Sequence, residues 1–214
     1  MLKSNGITVK NACSPSFSLW PDCESYDARI HRQSLYPMFY YAYLLVVNGN
    51  RSEGVAGLQV GLDYDGGANR DGGDRPINVF GFTLCATLSF DSPSPPWPAP
   101  GSGTIITWDA TKAQCLAPPG NAGIGGYALA GYFYLTAYSS ARFKLTPRPI
   151  DGLAKVANCG AIEDTIYVSE DESRTFLGAL GFGPDTPGIN PCGRSLPVAV
   201  APTSWSRVKT LLGN

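Results

Sequence analysis

Charge and histidine are what this sequence has least of. Charged side chains make up 15% of 214 residues, the formal net charge is −1, and His31 is the one histidine. Soluble domains usually carry about 25% charged residues. No dense Lys/Arg cluster occurs, so a nucleic-acid backbone has little to grip and no nucleic-acid partner is expected. The cysteines form no CxxC pair and none is close in sequence to His31, which argues against a tetrahedral zinc site. No run approaches the roughly 18 apolar residues of a spanning helix, so no membrane span is expected. The opening MLKSNGITVKNACSPSF lacks the apolar stretch of a signal peptide. GxSxG, HExxH and P-loop motifs are missing. Helical periodicity is almost absent as well.

What the chain does have is glycine (25) and proline (18), spread along its length, with 43% hydrophobic residues. The length suits one sizeable domain, and the composition suits short strands joined by many turns. MFYYAYLLVV, Met38 to Val47, is apolar on both faces and reads as a central strand. In VAGLQVGLDY, Leu58, Val60, Leu62 and Tyr64 share one face and Gln59, Gly61, Asp63 and Asp65 the other. INVFGFTLCATLSF alternates too, with Phe80, Phe82, Leu84, Ala86, Leu88 and Phe90 expected inward. GYALAGYFYLTAY reads as a long strand buried on both faces, TIITWD, ARFKLTP, KVANC and TIYVSE as shorter ones. GALGFGPDTPGINPCG reads as irregular, and its GxxGxG pattern (Gly178, Gly181, Gly183) has no strand–helix unit around it. SLPVAVAP reads as an edge strand, since proline cannot donate to a ladder. In the last residues Thr203 or Ser204 can cap a helix that carries Trp205, Val208 and Leu212 at helical spacing, with Gly213 at its end.

The expectation is an all-β fold: a two-sheet antiparallel β-sandwich, Ig-like or jelly-roll-like, with an N-terminal arm and a short C-terminal helix. Residues 1–35 are assigned to the arm or extension, 36–202 to the sandwich and 203–214 to the helix. The arm holds a short alternating segment, with Ile7 and Val9 on one face and Thr8 and Lys10 on the other. Such a segment buries too little to order alone, so it is expected to dock on its own sandwich or on the next subunit.

Six cysteines, Cys13, Cys23, Cys85, Cys115, Cys159 and Cys192, are scattered through the chain. An even count in a Gly/Pro-rich chain reads as three disulfides and an oxidising compartment, the alternative being six buried thiols. Sequential pairs 13–23, 85–115 and 159–192 are favoured among the 15 pairings that six cysteines allow. Secretion without a leader is reconciled by taking this as the mature chain.

Two clusters invite a functional reading. In GLDYDGGANRDGGDRP, Asp63, Asp65, Asn69, Asp71 and Asp74 offer the oxygen inventory of a calcium loop. The spacing departs from an EF-hand, with Gly67 at the fifth position, and Arg70 and Arg75 can offset part of the repulsion without a metal. A plain hairpin loop is the preferred reading, with calcium the one cofactor to test and none required. Trp97, Trp108 and Tyr127 are candidates for stacking on sugar rings, although Trp97 in its proline loop reads better as folded onto the body. Glu163/Asp164 and Glu170/Asp171/Glu172 fall in consecutive turns, where solvated charge is the default over a glycosidase pair. His31, with Asp27, Arg29 and Arg32 nearby, reads as a polar turn. Asn50 opens an NRS sequon.

Several segments together, GVAGLQVGLDYDG, VFGFTLCATLSF, WPAPGSGTIITWD, GYFYLTAYSSARFKLTP, VANCG and PTSWSRVKTLL, resemble a set of uncharacterised secreted proteins predicted from environmental bacterial genomes. The likeness runs from Tyr36 to the C-terminus. It implies a secreted β-sandwich ending in a short Thr-Trp helix, with Cys85 and Cys115 flanking one loop, and it implies no activity. No catalytic constellation is found, and no enzyme is expected. The functional expectation is an extracellular or cell-surface structural subunit of a filament, surface layer or matrix, with copies of itself as partners. The alternative is a secreted polysaccharide-binding or adhesion module with a calcium-stabilised loop.

Overall fold

The computed structural model describes residues 2–6, 13, 28–30, 38–49, 53–67, 76–109 and 126–192. Over these residues the chain is an all-β sandwich of two packed sheets. One sheet has five strands in the order β1 (Leu2–Gly6), β3 (Met38–Gly49), β9 (Gly126–Ala137), β6 (Ile77–Leu84) and β5 (Gly66–Gly67). The other is centred on β4 (Gly57–Tyr64). On one side of β4 lie β8 (Ser102–Thr107) and then β7 (Leu88–Asp91). On its other side the first half pairs with β11 (Lys155–Ala157), which leads to β12 (Glu163–Thr165). The second half pairs with β10 (Ala141–Thr146), followed by β13 (Ala179–Phe182) and β2 (Arg29–Ile30). Pairing is antiparallel except for two short edge contacts, β5 with β6 and β2 with β13.

The core follows from strand alternation. Leu58, Val60, Leu62 and Tyr64 of β4 are all buried, as their period of two requires. Facing them are Tyr40, Ala42, Leu44 and Val46 of β3 and Phe133 and Leu135 of β9. The opposite face of β3 is also covered: Tyr41, Tyr43 and Leu45 form a second cluster with Tyr132 and Cys192. On β9 the inward set shifts from Ala128 and Ala130 to Phe133 and Leu135, because Leu44 faces Gly131 while Leu45 faces Leu129. The extra residue is a β-bulge, which changes which face a side chain meets.

Three expectations change. A second bulge, between Val79 and Gly81, breaks the alternation of β6. Ile77 and Val79 are buried and Phe82 packs on the core, whereas Phe80 leaves the inward set and meets Phe39 and Tyr134 at a tilt. Leu88 and Phe90 of β7 are 55% and 59% exposed rather than inward. The segment expected to be irregular contains β13, in which Gly181 is indispensable: a Cβ there would lie 2.0 Å from the carbonyl oxygen of Thr186. Within residues 1–35, assigned to the arm, β1 and β2 are edge strands of the two sheets. β1 docks on its own chain, with Leu2 opposite Leu44 and Gly6 opposite Tyr40.

The disulfide scheme is also corrected. Cys13 is bonded to Cys85, 72 residues away, which rules out 13–23 and 85–115. Cys159 and Cys192 are each disulfide-bonded, but the one bridge with both ends among the described residues is Cys13–Cys85, so 159–192 fails too. Pairing follows which strands lie side by side, not which cysteines are near in sequence. Residues 203–214, expected to be helical, lie outside the described residues. Among the described residues no helix is long and apolar enough to cross a membrane.

Candidate functional site

The Asp-rich stretch splits at the end of β4. Asp63 stands opposite Lys144 of β10 in register, and their side chains form an ion pair at 3.3 Å. A lysine therefore neutralises one of the five proposed calcium ligands. Asp65 is exposed just past the strand, where its carbonyl accepts the Ile77 amide at 3.1 Å and closes the base of the loop. Asn69, Asp71 and Asp74 lie outside the described residues. Among the described residues no group of three or more His, Cys, Asp or Glu could hold a metal.

Two of the three rings expected to stack on sugars, Trp97 and Trp108, pack against the core. Trp108 is buried in the main core. Trp97 turns inward from the proline-rich loop and meets Phe82 and Phe133, each at 5.5 Å between ring centroids. Its contact with Phe82 is edge to face, and its buried Nε1 has no hydrogen-bond partner. Apolar packing outweighs solvation for this indole, which buries a large ring at the cost of one N–H. Tyr127 lies on β9, with its side chain outside the described residues.

A different aromatic group reaches solvent. Phe39 of β3 is 43% exposed and stacks on Tyr134 of β9 at 5.4 Å with an interplanar angle of 14°. Phe80, displaced by its bulge, lies 5.2 Å from Tyr134 and 5.8 Å from Phe39. These rings continue the covered tyrosine cluster, since Tyr41 contacts Tyr134 at 5.9 Å and Tyr132 at 5.0 Å. Burial raises the Tyr43 hydroxyl above its ordinary pKa, helped by Tyr41 and Tyr132 beside it. The patch escaped the sequence reading because Phe80 was assigned to the core. Only the bulge, which the alternation of apolar residues conceals, brings it out.

Glu163 and Glu172 of the acidic turns form ion pairs. Glu163 accepts Lys155 Nζ at 2.8 Å. Glu172 receives both terminal nitrogens of Arg142, at 2.6 and 2.9 Å, and that pairing lowers its carboxyl pKa. Arg142 Nε also donates to the Pro187 carbonyl, tying β10 to the turn after β13. On the outer face of the β4 sheet, Asp151 accepts Arg148, Gln59 and the Leu153 amide; the Arg148 hydrogen bond is the main cause of its lowered pKa. Arg29 of the proposed charged cluster donates to the Pro184 carbonyl at 3.1 Å. His31, Asp27, Arg32, Asn50, Ile7 and Val9 lie outside the described residues. Comparison with protein-family models, curated proteins and solved structures found no match.

Proposed function

We propose that this chain is a non-catalytic structural subunit of an extracellular filament, surface layer or matrix, joining copies of itself through its N-terminal strand and open sheet edges. The pairing of β1 with β3 carries the reading. β1 is five residues long and mostly polar (LKSNG), yet it closes one edge of the five-stranded sheet. A strand that fits its own edge fits the identical edge of a neighbour with the same main-chain hydrogen bonds, so exchange costs little and links subunits head to tail. The Cys13–Cys85 bond sets a limit on that exchange. It holds residue 13 to the end of β6, and the seven residues from Gly6 to Cys13 can span at most about 25 Å. Disulfides persist in oxidising compartments, which suits an extracellular location.

A second reading, a polysaccharide-binding or adhesion module, is favoured by the open Phe39–Tyr134–Phe80 patch, because flat aromatic faces stack on sugar rings. Ser4 and Ala42 face each other across β1 and β3, which provides the test. In the Ser4→Cys/Ala42→Cys variant, the assembly reading expects regular polymers by negative-stain imaging and a ladder of cross-linked species on a non-reducing gel. Polymers with cross-links only inside each chain would remove β1 from the mechanism. A monomer retarded on a polysaccharide affinity gel would favour the second reading.

A further inference from the structure

We infer that the outer edge of β7 is a second joining surface, which pairs antiparallel with the same edge of a second copy of this chain, Phe90 opposite Phe90. The inference rests on the self-joining reading above and adds a contact on the sheet that does not carry β1.

The hydrogen bonds of β8 fix which way β7 faces. The Trp108 amide donates to the Ala56 carbonyl at 2.9 Å, so at every second residue Ile106 and Thr104 bond toward β4, opposite Leu58 and Val60. The alternate residues Gly103, Ile105 and Thr107 bond toward β7. The Ser92 amide donates to the Gly103 carbonyl at 2.8 Å, in step with Phe90 opposite Ile105 and Leu88 opposite Thr107. Leu88, Phe90 and Ser92 thus direct their main-chain groups to β8, and those of Ser89 and Asp91 point away from it. Among the described residues β7 has no other strand beside it.

Leu88 and Phe90 lie on the outer face of the sheet, 55% and 59% exposed, beside the partly exposed Ile105. Ser89 and Asp91 take the other face, where Thr104 Oγ1 donates to Asp91 Oδ1 at 2.7 Å. Sheet edges are commonly blunted with charge. On the far side of the same sheet β12 does this, with Glu163 and Asp164. β7 instead sets two large apolar side chains beside its outward backbone groups, which suits it to accept a strand.

Self-pairing has one register that satisfies those groups. Ser89 opposite Ser89 would set Asp91 against Thr87, whose amide already donates to the Thr107 carbonyl at 3.0 Å. Asp91 opposite Asp91 would face two carboxylates. Ser89 opposite Asp91 places both outward residues of both copies in hydrogen-bonded pairs, hydroxyl against carboxylate. Phe90 then meets the second copy's Phe90 in the close pair between them, about 4.5 Å between Cα atoms. Leu88 of each copy lies diagonal to that ring. This contact is two-fold and closes on a pair of copies, whereas β1 exchange runs head to tail.

Sedimentation velocity of the full chain over a range of concentrations tests the contact. Reversible association is expected for the unaltered chain. Phe90→Lys, at a side chain already in solvent, replaces an apolar pair with two facing cations and is expected to weaken association roughly tenfold or more. Ser89→Pro removes an outward N–H and leaves the bonds to β8, so it should act likewise with an unchanged near-UV spectrum. Ile162→Lys replaces another exposed apolar side chain, on the far side of the sheet, and should change nothing. Association that Phe90→Lys leaves as strong as before, or that Ile162→Lys weakens equally, would overturn the contact, as would a chain that stays monomeric at every concentration. The β1 reading stands or fails separately, by whether the Ser4→Cys/Ala42→Cys cross-links run between chains when Phe90→Lys is also present.

Discussion

Trp97 and Tyr43 show how burial decides what an aromatic side chain can do. Trp97 contributes its ring to the core through Phe82 and Phe133 while its indole N–H goes unmatched. Trp97→Phe removes that unpaired donor and keeps the packing, so its cost in urea unfolding is expected to stay below about 1.5 kcal/mol. Trp97→Ala empties the site and is expected to cost about 3–5 kcal/mol. Equal losses for the two variants would mean the N–H has a partner. Tyr43 offers a pH test. Burial, then Tyr41 and Tyr132, hold its folded pKa above the ordinary value of 10.0. The protonated phenol is thus favoured by folding: that contribution is complete below pH about 10 and is lost as pH rises through the folded value. The difference in 295 nm absorbance between the protein and its Tyr43→Phe variant should show the Tyr43 phenol ionising above its ordinary value of 10.0. A difference that titrates at or below that value would refute this.

Elements pack closely here because glycines remove side chains where strands and turns cross. Gly61 of β4 lies under the turn after β10, and a Cβ there would sit 2.4 Å from the Pro147 carbonyl oxygen. Backbone cannot yield as a flexible side chain can, so Gly61→Ala should separate β4 from β10 and lower the melting temperature by more than 10 °C, well over 1 kcal/mol of lost stability. Gly81, next to the bulge in β6, has nothing within 4 Å of such a Cβ. Gly81→Ala should leave the melt unchanged or raise stability by roughly 0.5–1 kcal/mol, by narrowing the unfolded ensemble. Differential scanning calorimetry of both variants decides it, and similar losses at the two sites would argue against the close β4–β10 crossing. The Arg142–Glu172 pair acts at the same scale, clamping β10 to the short 3₁₀ turn Glu172–Arg174.

At the scale of the whole molecule, a covalent bond ties distant parts of the chain together. The Cys13–Cys85 bond closes a loop of 72 residues in separation. In the chain-entropy model such a loop stabilises by about 4 kcal/mol, against roughly 2–3 for the short Cys13–Cys23 loop expected from sequence. Calcium has a weaker case, because Asp63 is already paired with Lys144. Excess EDTA is therefore expected to leave the melting temperature unchanged. A lower melting temperature in EDTA that Asp71→Ala reproduces would instead make the Asp-rich stretch a calcium site.

Strand alternation is a local property, and so β4 could be read from Leu58, Val60, Leu62 and Tyr64 before any fold was known. The two-sided apolar runs of β3 and β9 marked them as central for the same reason. β13 escaped because glycine gives no pattern to follow: Gly181 is needed for a crossing with Thr186 that lies outside its own strand. Of the candidate site, the sequence supplied the aromatic residues but not their faces. One inserted residue at Phe80 reverses the alternation, and only pairing with β9 shows where the insertion falls. The outward-facing trio of Phe39, Tyr134 and Phe80, the inward turn of Trp97 and the joining of Cys13 to Cys85 all depend on contacts between residues far apart in the chain. Composition and period determine that strands form and which runs are buried; bulges, close crossings and cross-links are set by neighbouring strands, and these the tertiary structure alone decides.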